Sequence, residues 1–219
     1  MLPEIACIVD WTATASFFKD VIVSTAAIFT AFVAYKGISK WRSEEAGKAD
    51  FELSRRVGKA VFRMRDVLNG ARNPFTFAHE FPEGYDSNDP SQQGAAWAHV
   101  FNSRWGPVRD CAIEIQSLRN EAEALWGGAI LAPLDRLLHQ ANTLQVAMGA
   151  YARNQQAQGQ HFANNRDFGQ RIESQVFDSG NLLNVDGTDG GPNPLTVAID
   201  AAVNDAATYL RTKLPQHSR

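Results

Sequence analysis

Charge is absent from Val21 to Tyr35 (VIVSTAAIFTAFVAY), fifteen residues in a row, and Trp11 to Phe18 ahead of them is also uncharged. Only Lys19-Asp20 separates the two stretches. A bilayer span needs about 20 apolar residues. The stretch reaches that length if Lys19 and Lys36 lay their stems along hydrocarbon and keep their ammonium groups in the interface. The predicted span is therefore residues 17–38, with Trp11 and Trp41 placed for the two aromatic belts. The alternatives are an in-plane or assembly helix and the buried helix of a soluble fold. Within the stretch, Ala27, Thr30, Ala31 and Ala34 share one helix face. Small residues let helix backbones approach closely in lipid, which makes these four the candidate oligomerisation surface.

After residue 42 the pattern becomes amphipathic. Leu53, Val57, Ala60, Val61, Met64, Val67, Leu68 and Ala71 recur at helical spacing and predict one long helix over 43–72. It closes at Gly70 and Asn73-Pro74. Only Gly37 and Gly47 interrupt the run back to the apolar stretch, so the two are candidates for a single helix. Residues 73–93 hold three prolines and predict a loop, with Phe75, Phe77, Phe81 and Tyr85 expected to pack onto the helices. A second amphipathic helix covers 94–126 through Trp97, Phe101, Trp105, Val108, Ala112, Ile115, Ala122 and Trp126. Gly106-Pro107 is expected to kink or split it, and Gly127-Gly128 to end it. Pro133 opens a third, faced by Leu134, Leu137, Leu138, Ala141, Leu144, Met148 and Tyr151. Residues 154–166 read as a loop, 167–178 as a short helix and 184–193 as a turn. Pro194 opens the last helix, with Leu195, Ile199, Val203, Ala206, Leu210 and Leu214 as its face. No stretch alternates as a strand does. The predicted fold is all-α: a transmembrane or membrane-associated helix in residues 1–42, then an antiparallel bundle of about four long helices in 43–219.

Composition changes this picture in one respect. The whole chain is 44% hydrophobic with a mean hydropathy of −0.28 and a net charge of −3, values of an ordinary globular protein. Those averages mix two different parts. Residues 1–42 carry four basic and three acidic groups, and residues 43–219 the remaining seventeen and twenty-one, a net −4. No Lys or Arg precedes Lys19, whereas Lys36, Lys40, Arg42, Lys48, Arg55, Arg56 and Lys59 follow. The positive-inside rule then puts the N-terminus outside and the helical domain in the cytoplasm. The acidic start (Glu4, Asp10) fits a cleavable signal peptide poorly. Lys36, Lys40, Arg42, Arg55, Arg56, Lys59 and Arg63 form the candidate lipid-facing basic set. The alternative is a salt-bridged helix side, for which Glu114, Glu121 and Glu123 are the candidate neighbours. Without a basic excess overall, nucleic acid is not the expected partner.

Catalytic and metal chemistry leaves few candidates. Cys7 and Cys111 are too few for a disulfide framework or a cysteine-built zinc site. The five histidines show no HExxH or i, i+4 pairing. Asp186, Thr188 and Asp189 in VDGTDGG lack the ligand order of a calcium loop. Phosphate-loop, dinucleotide and nucleophile-elbow motifs do not occur. Neither a metal nor a cofactor is expected. One pair remains. Arg72 and His79 in RNPFTFAH have an R-x6-H spacing that resembles the R-x4–6-H motif of the HEPN ribonucleases, all-helical proteins that dimerise to pair two such motifs. That resemblance implies that Arg72 and His79 would act on the RNA 2′-hydroxyl and phosphate. Pro74 departs from the motif, whose two residues normally share one helix.

The runs AFVAYKGISKW, ADFELSRRVGKAVFRMRDVLNGARNPF and NEAEALWG resemble a group of bacterial proteins in which a short hydrophobic segment precedes a helical cytoplasmic region with similar runs. The resemblance implies a membrane-anchored helical protein of the bacterial inner membrane and brings no activity or assigned site with it. In plan the chain is also similar to CRISPR-associated membrane accessory proteins, which join an anchor to a HEPN-like domain and form pores. The expected function is non-enzymatic: a membrane-anchored helical interaction or assembly protein, expected to form homo-oligomers. The alternative is a HEPN-like ribonuclease or an anti-phage, pore-forming accessory.

Overall fold

The computed structural model describes residues 11–179 and 192–214, and side chains there apart from those of 11–18 and 20. Cys7, the Trp11 side chain, the VDGTDGG run and most of the expected 184–193 turn lie outside these residues. Six helices follow in order: α1 (Trp11–Ala71), α2 (Gln93–Trp126), α3 (Leu131–Gln156), α4 (Gln160–Asn164), α5 (Arg166–Val176) and α6 (Pro194–Arg211). Short 3-10 turns cover Ala78–Glu80 and Gly128–Ile130. There is no strand among the described residues. The fold is all-helical, and the apolar stretch and the first amphipathic run are one helix, through Gly37 and Gly47.

The chain divides into two compact units, Met1–Ala49 and Asp50–Arg219; the sequence places that boundary at 42/43. In the first unit the described apolar side chains are exposed: Ile22, Ile28, Phe29 and Tyr35 each show about two-thirds or more of their surface. In the second, the predicted faces meet in one core. Leu53, Val57, Val61, Met64 and Leu68 of α1 are buried with Val100, Val108, Cys111 and Ile115 of α2. Leu134, Leu137 and Leu144 of α3 and Ile199, Val203 and Ala206 of α6 complete it. Removing each large side chain from water contributes roughly 1.5–3 kcal/mol, which outweighs the modest helix propensity of the valines and isoleucines here.

Polar pairings fix the directions of the helices. Asp50 accepts from Trp126 Nε1 at 2.8 Å, Arg56 pairs with Glu121 and Arg63 with Glu114. Rising numbers on α1 meet falling numbers on α2, so the two run antiparallel. Arg119 meets Asp135 while Gly94 abuts Gln156, which sets α2 against α3 in the same way. Gly58 beside Leu210 and Arg72 beside Thr196 do so for α1 and α6.

Three expectations are corrected. Pro107 does not split α2, which runs unbroken from Gln93 to Trp126. The missing N–H deprives the Ser103 carbonyl of its partner, but Ser103 and Pro107 lie on the exposed side, and Val100, Phe101, Val108 and Cys111 hold the helix before and after it. The 154–166 loop is largely helical: α3 continues to Gln156, and α4 begins after Gly159, whose φ of 81° makes the turn. Buried Asn154 supports it by accepting the Phe162 amide at 3.0 Å. Of the four loop aromatics, only Phe81 and Tyr85 pack, stacked 4.5 Å apart with Phe81 edge-on to Trp97. Phe75 and Phe77 are each 55% exposed.

Candidate functional site

Arg72 sits just past the C-terminus of α1 and is completely buried. Its Nε donates to the Gln175 carbonyl at 2.9 Å, Nη2 to the Ser174 carbonyl at 3.3 Å and Nη1 to Thr196 Oγ1 at 2.7 Å. Ser174 and Gln175 belong to the last turn of α5, whose final carbonyls have no partner within that helix. A cation there also meets the negative end of the helix dipole. Asp178 lies 3.6 Å from Nη1, and its backbone amide donates to the Arg72 carbonyl at 2.9 Å. Burial pushes the guanidinium's pKa down from its ordinary value and Asp178 opposes the fall. The Thr196 hydroxyl in turn donates to Asp178 Oδ2 at 2.6 Å. Asn193 caps α6 through the Leu195 amide and donates to Ser174 O. One arginine thus joins the ends of α1 and α5 to the start of α6.

The other half of the R-x6-H pair is elsewhere. His79 is exposed in the 3-10 turn, stacked on Phe77 with ring centroids 5.7 Å apart. The structure does not bring Arg72 and His79 together, because Arg72 is held by the α5 and α6 ends and its guanidinium faces no open surface. Arg72 is instead a helix-terminal arginine that caps α5 rather than its own helix.

A second arginine, Arg104, was not expected from the sequence. Its Nε and Nη2 donate to the two carboxylate oxygens of Glu80 at 3.0 and 2.8 Å, and Nη1 and Nη2 donate to the Asn73 and Phe75 carbonyls at 2.6 and 2.8 Å. Glu80 also accepts the Phe77 amide at 3.0 Å. Arg104 therefore pins the first half of the 73–92 loop to α2. The Arg104 hydrogen bonds hold the Glu80 carboxyl below the usual glutamate range against the cost of partial burial, and the Phe77 amide adds to this. The signal was present: Arg104 lies one helical turn beyond Phe101 and two beyond Trp97, a charge on an apolar face.

The basic set is distributed rather than gathered. Arg56 and Arg63 reach across to Glu121 and Glu114 of α2, as the salt-bridged alternative anticipated, while Glu123 pairs with Arg119 on its own helix. These two arginines pair with α2 carboxylates while about half of each side chain stays exposed. Arg55 pairs with Glu52 at 3.2 Å and Lys40 with Glu44 at 3.9 Å. Lys36 lies over the Phe32 ring, 5.1 Å from its centroid. Lys36, Arg42 and Lys59 make no ion pair with a described residue. In the small-residue stripe, the Thr30 hydroxyl donates to the Ala26 carbonyl at 2.8 Å, so the Ala27, Thr30, Ala31, Ala34 face presents methyl groups with its one polar atom already satisfied.

Cys111 is buried on α2 with its thiol 3.5 Å from the Ala60 carbonyl, and burial pushes its pKa up to about 11. Among the described residues no group of three His, Cys, Asp or Glu side chains could hold a metal ion. Among the described residues one helix is long and apolar enough to cross a membrane, an 18-residue window in it having a mean hydropathy of 1.7 with none of it buried. No protein-family model, curated protein or solved structure matches the chain.

Proposed function

We propose that the protein is a single-pass inner-membrane protein of bacteria whose residues 17–38 cross the bilayer, with the N-terminus outside and an antiparallel bundle of four long helices in the cytoplasm. It acts by binding and assembly, not by catalysis. The observation that carries this reading is the exposed apolar half of α1: Ile22, Ile28 and Phe29 are each about two-thirds or more exposed, on a helix with no charge from Val21 to Tyr35. Apolar surface of this extent on a soluble monomer marks a membrane or protein contact. The cationic flank at Lys36, Lys40 and Arg42 supports the orientation. The small-residue face supports self-association within the membrane. The ribonuclease reading gains no support from the burial of Arg72.

Alkaline carbonate extraction of cell membranes tests the proposal. The full chain is expected in the pellet, with a C-terminal tag protected from protease added outside the cell. Recovery of the whole chain in the supernatant would remove the anchor reading.

A further inference from the structure

Among the openings in the helical domain, one combines an apolar floor with a cationic rim. It runs between α1 and α6 with a volume of about 390 Å3, and its floor includes Phe51, Phe62, Leu210 and Leu214. Phe51 and Phe62 are 40% and 43% exposed, so two aromatic rings border water along this slot. Arg55, Lys59 and Arg211 stand at its edges. Glu52 answers Arg55. Lys59 and Arg211 have no carboxylate partner among the described residues. Ser54 also lines the slot, 3% exposed, and its hydroxyl is the buried side-chain polar atom without a hydrogen-bond partner among the described residues.

The lining selects the occupant. From Phe51 to Phe62 the slot follows α1 for about 16 Å at 1.5 Å per residue. Its lining is largely apolar, and the helices on either side have their own backbone bonds closed. An extended peptide would bring backbone N–H and C=O groups against them without partners, whereas a hydrocarbon chain asks for no hydrogen bonds. The rim requires a negative head, and an arginine and a lysine without carboxylates are suited to a carboxylate.

We propose that the α1/α6 slot binds a long-chain fatty acid, its alkyl chain along Phe51, Phe62, Leu210 and Leu214 and its carboxylate at Lys59 and Arg211. This does not depend on whether residues 17–38 cross a bilayer. Gly58 lines the middle of the slot, and a Cβ added there would meet only Leu210 Cδ1, at 3.7 Å. Gly58→Leu therefore plugs the slot while favouring the helix.

The test uses the full chain in zwitterionic nanodiscs, labelled with a diazirine-bearing fatty acid and mapped by peptide mass spectrometry. Labels are expected on peptides containing 51–62 and 207–214. Dodecanoate should compete about tenfold better than dodecyltrimethylammonium, the advantage of one charge-assisted head contact. Gly58→Leu should remove these labels with its helix content unchanged by circular dichroism. Lys59→Glu with Arg211→Glu, two surface changes, should erase the preference for the anionic competitor. Labels confined to 21–38, equal competition by the cationic amphiphile, undiminished labelling in Gly58→Leu, or a protein–protein cross-link through Phe62 in place of the label would each overturn the proposal.

Discussion

Arg72 Nη1 donates to Thr196 Oγ1 at 2.7 Å across 124 residues of chain, and that hydroxyl donates in turn to Asp178 Oδ2. The relay ties α1 to α6 through a group that is completely buried. Replacing Arg72 with Met leaves two helix-terminal carbonyls, a hydroxyl and part of a carboxylate without their donor. Orphaned buried groups and broken buried pairs together cost about 3–5 kcal/mol. Urea denaturation should show that loss. Arg72→Lys should recover less than half, because an ammonium group cannot reach three acceptors in the plane that the guanidinium spans. A loss below about 1 kcal/mol for Arg72→Met would mean that the junction is held by the surrounding apolar contacts instead.

The 73–92 loop should respond to acid through Glu80. Its carboxyl is held below the ordinary glutamate value, so the Arg104–Glu80 contact contributes its full stability at pH values above that ordinary value. The contribution falls as the pH drops through the lower, folded value. Hydrogen exchange at the Phe77 amide should accelerate as the pH falls below about 4, after correction for intrinsic rates. Glu80→Gln should show the fast exchange at neutral pH and no such step. An unchanged profile in Glu80→Gln would show that the loop is held without Glu80, by the Arg104 bonds to the Asn73 and Phe75 carbonyls and by Phe81 and Tyr85.

These two arginines mark the limit of what one-dimensional spacing carries. The helical period gave the core because burial of Leu53, Met64, Leu137 or Ile199 depends on spacing alone. Arg72 attracted attention for its distance to a histidine, a one-dimensional property, whereas its partners Gln175, Thr196 and Asp178 lie more than a hundred residues away. Arg104 sits on the Trp97/Phe101 face, where a charge implies a buried partner, but the spacing does not say that the partner is Glu80. Pro107 does not split α2, because one lost hydrogen bond on an exposed side does not break a helix held by apolar contacts before and after it.

Two glycines of one type should respond with opposite signs. At Gly94 on α2 an added Cβ would stand 2.5 Å from Gln156 Cβ and 2.7 Å from its Cα, so the α2 and α3 backbones would have to separate. Gly94→Ala is expected to cost about 1–3 kcal/mol. Gly70, exposed in the last turn of α1, meets nothing within 4 Å, and Gly70→Ala is expected to stabilise by about 0.5–1 kcal/mol. Thermal melts of the two variants measure both. A Gly94→Ala melt at or above that of the parent chain would contradict the close approach.

The thiol of Cys111 should be silent until the domain unfolds. With its pKa raised to about 11 by burial, only about one molecule in a thousand carries the thiolate at pH 8, and the buried sulfur is closed to reagents. Alkylation of Cys111, followed by mass spectrometry across a urea series, should track global unfolding. Labelling in native buffer within minutes would reveal a local opening between α1 and α2.

The small-residue face makes a prediction in which two neighbouring substitutions part company. Because the Thr30 hydroxyl is bonded to the Ala26 carbonyl of its own helix, it has no proton to give to a neighbouring span. Thr30→Val should therefore leave self-association in membranes nearly unchanged. Ala31→Leu places three more carbons on the same face and holds the backbones apart, which should weaken association by about 1 kcal/mol, roughly fivefold. Ile28→Lys with Phe32→Lys serves as the control for insertion itself, since each charge costs about 3 kcal/mol at the centre of a span and should shift the chain towards the carbonate-soluble fraction. Resonance energy transfer between labelled copies in vesicles gives the first two readings. If Thr30→Val dissociates the chains and Ala31→Leu does not, the contact between copies is made by hydroxyl bonding across helices and not by close backbone approach.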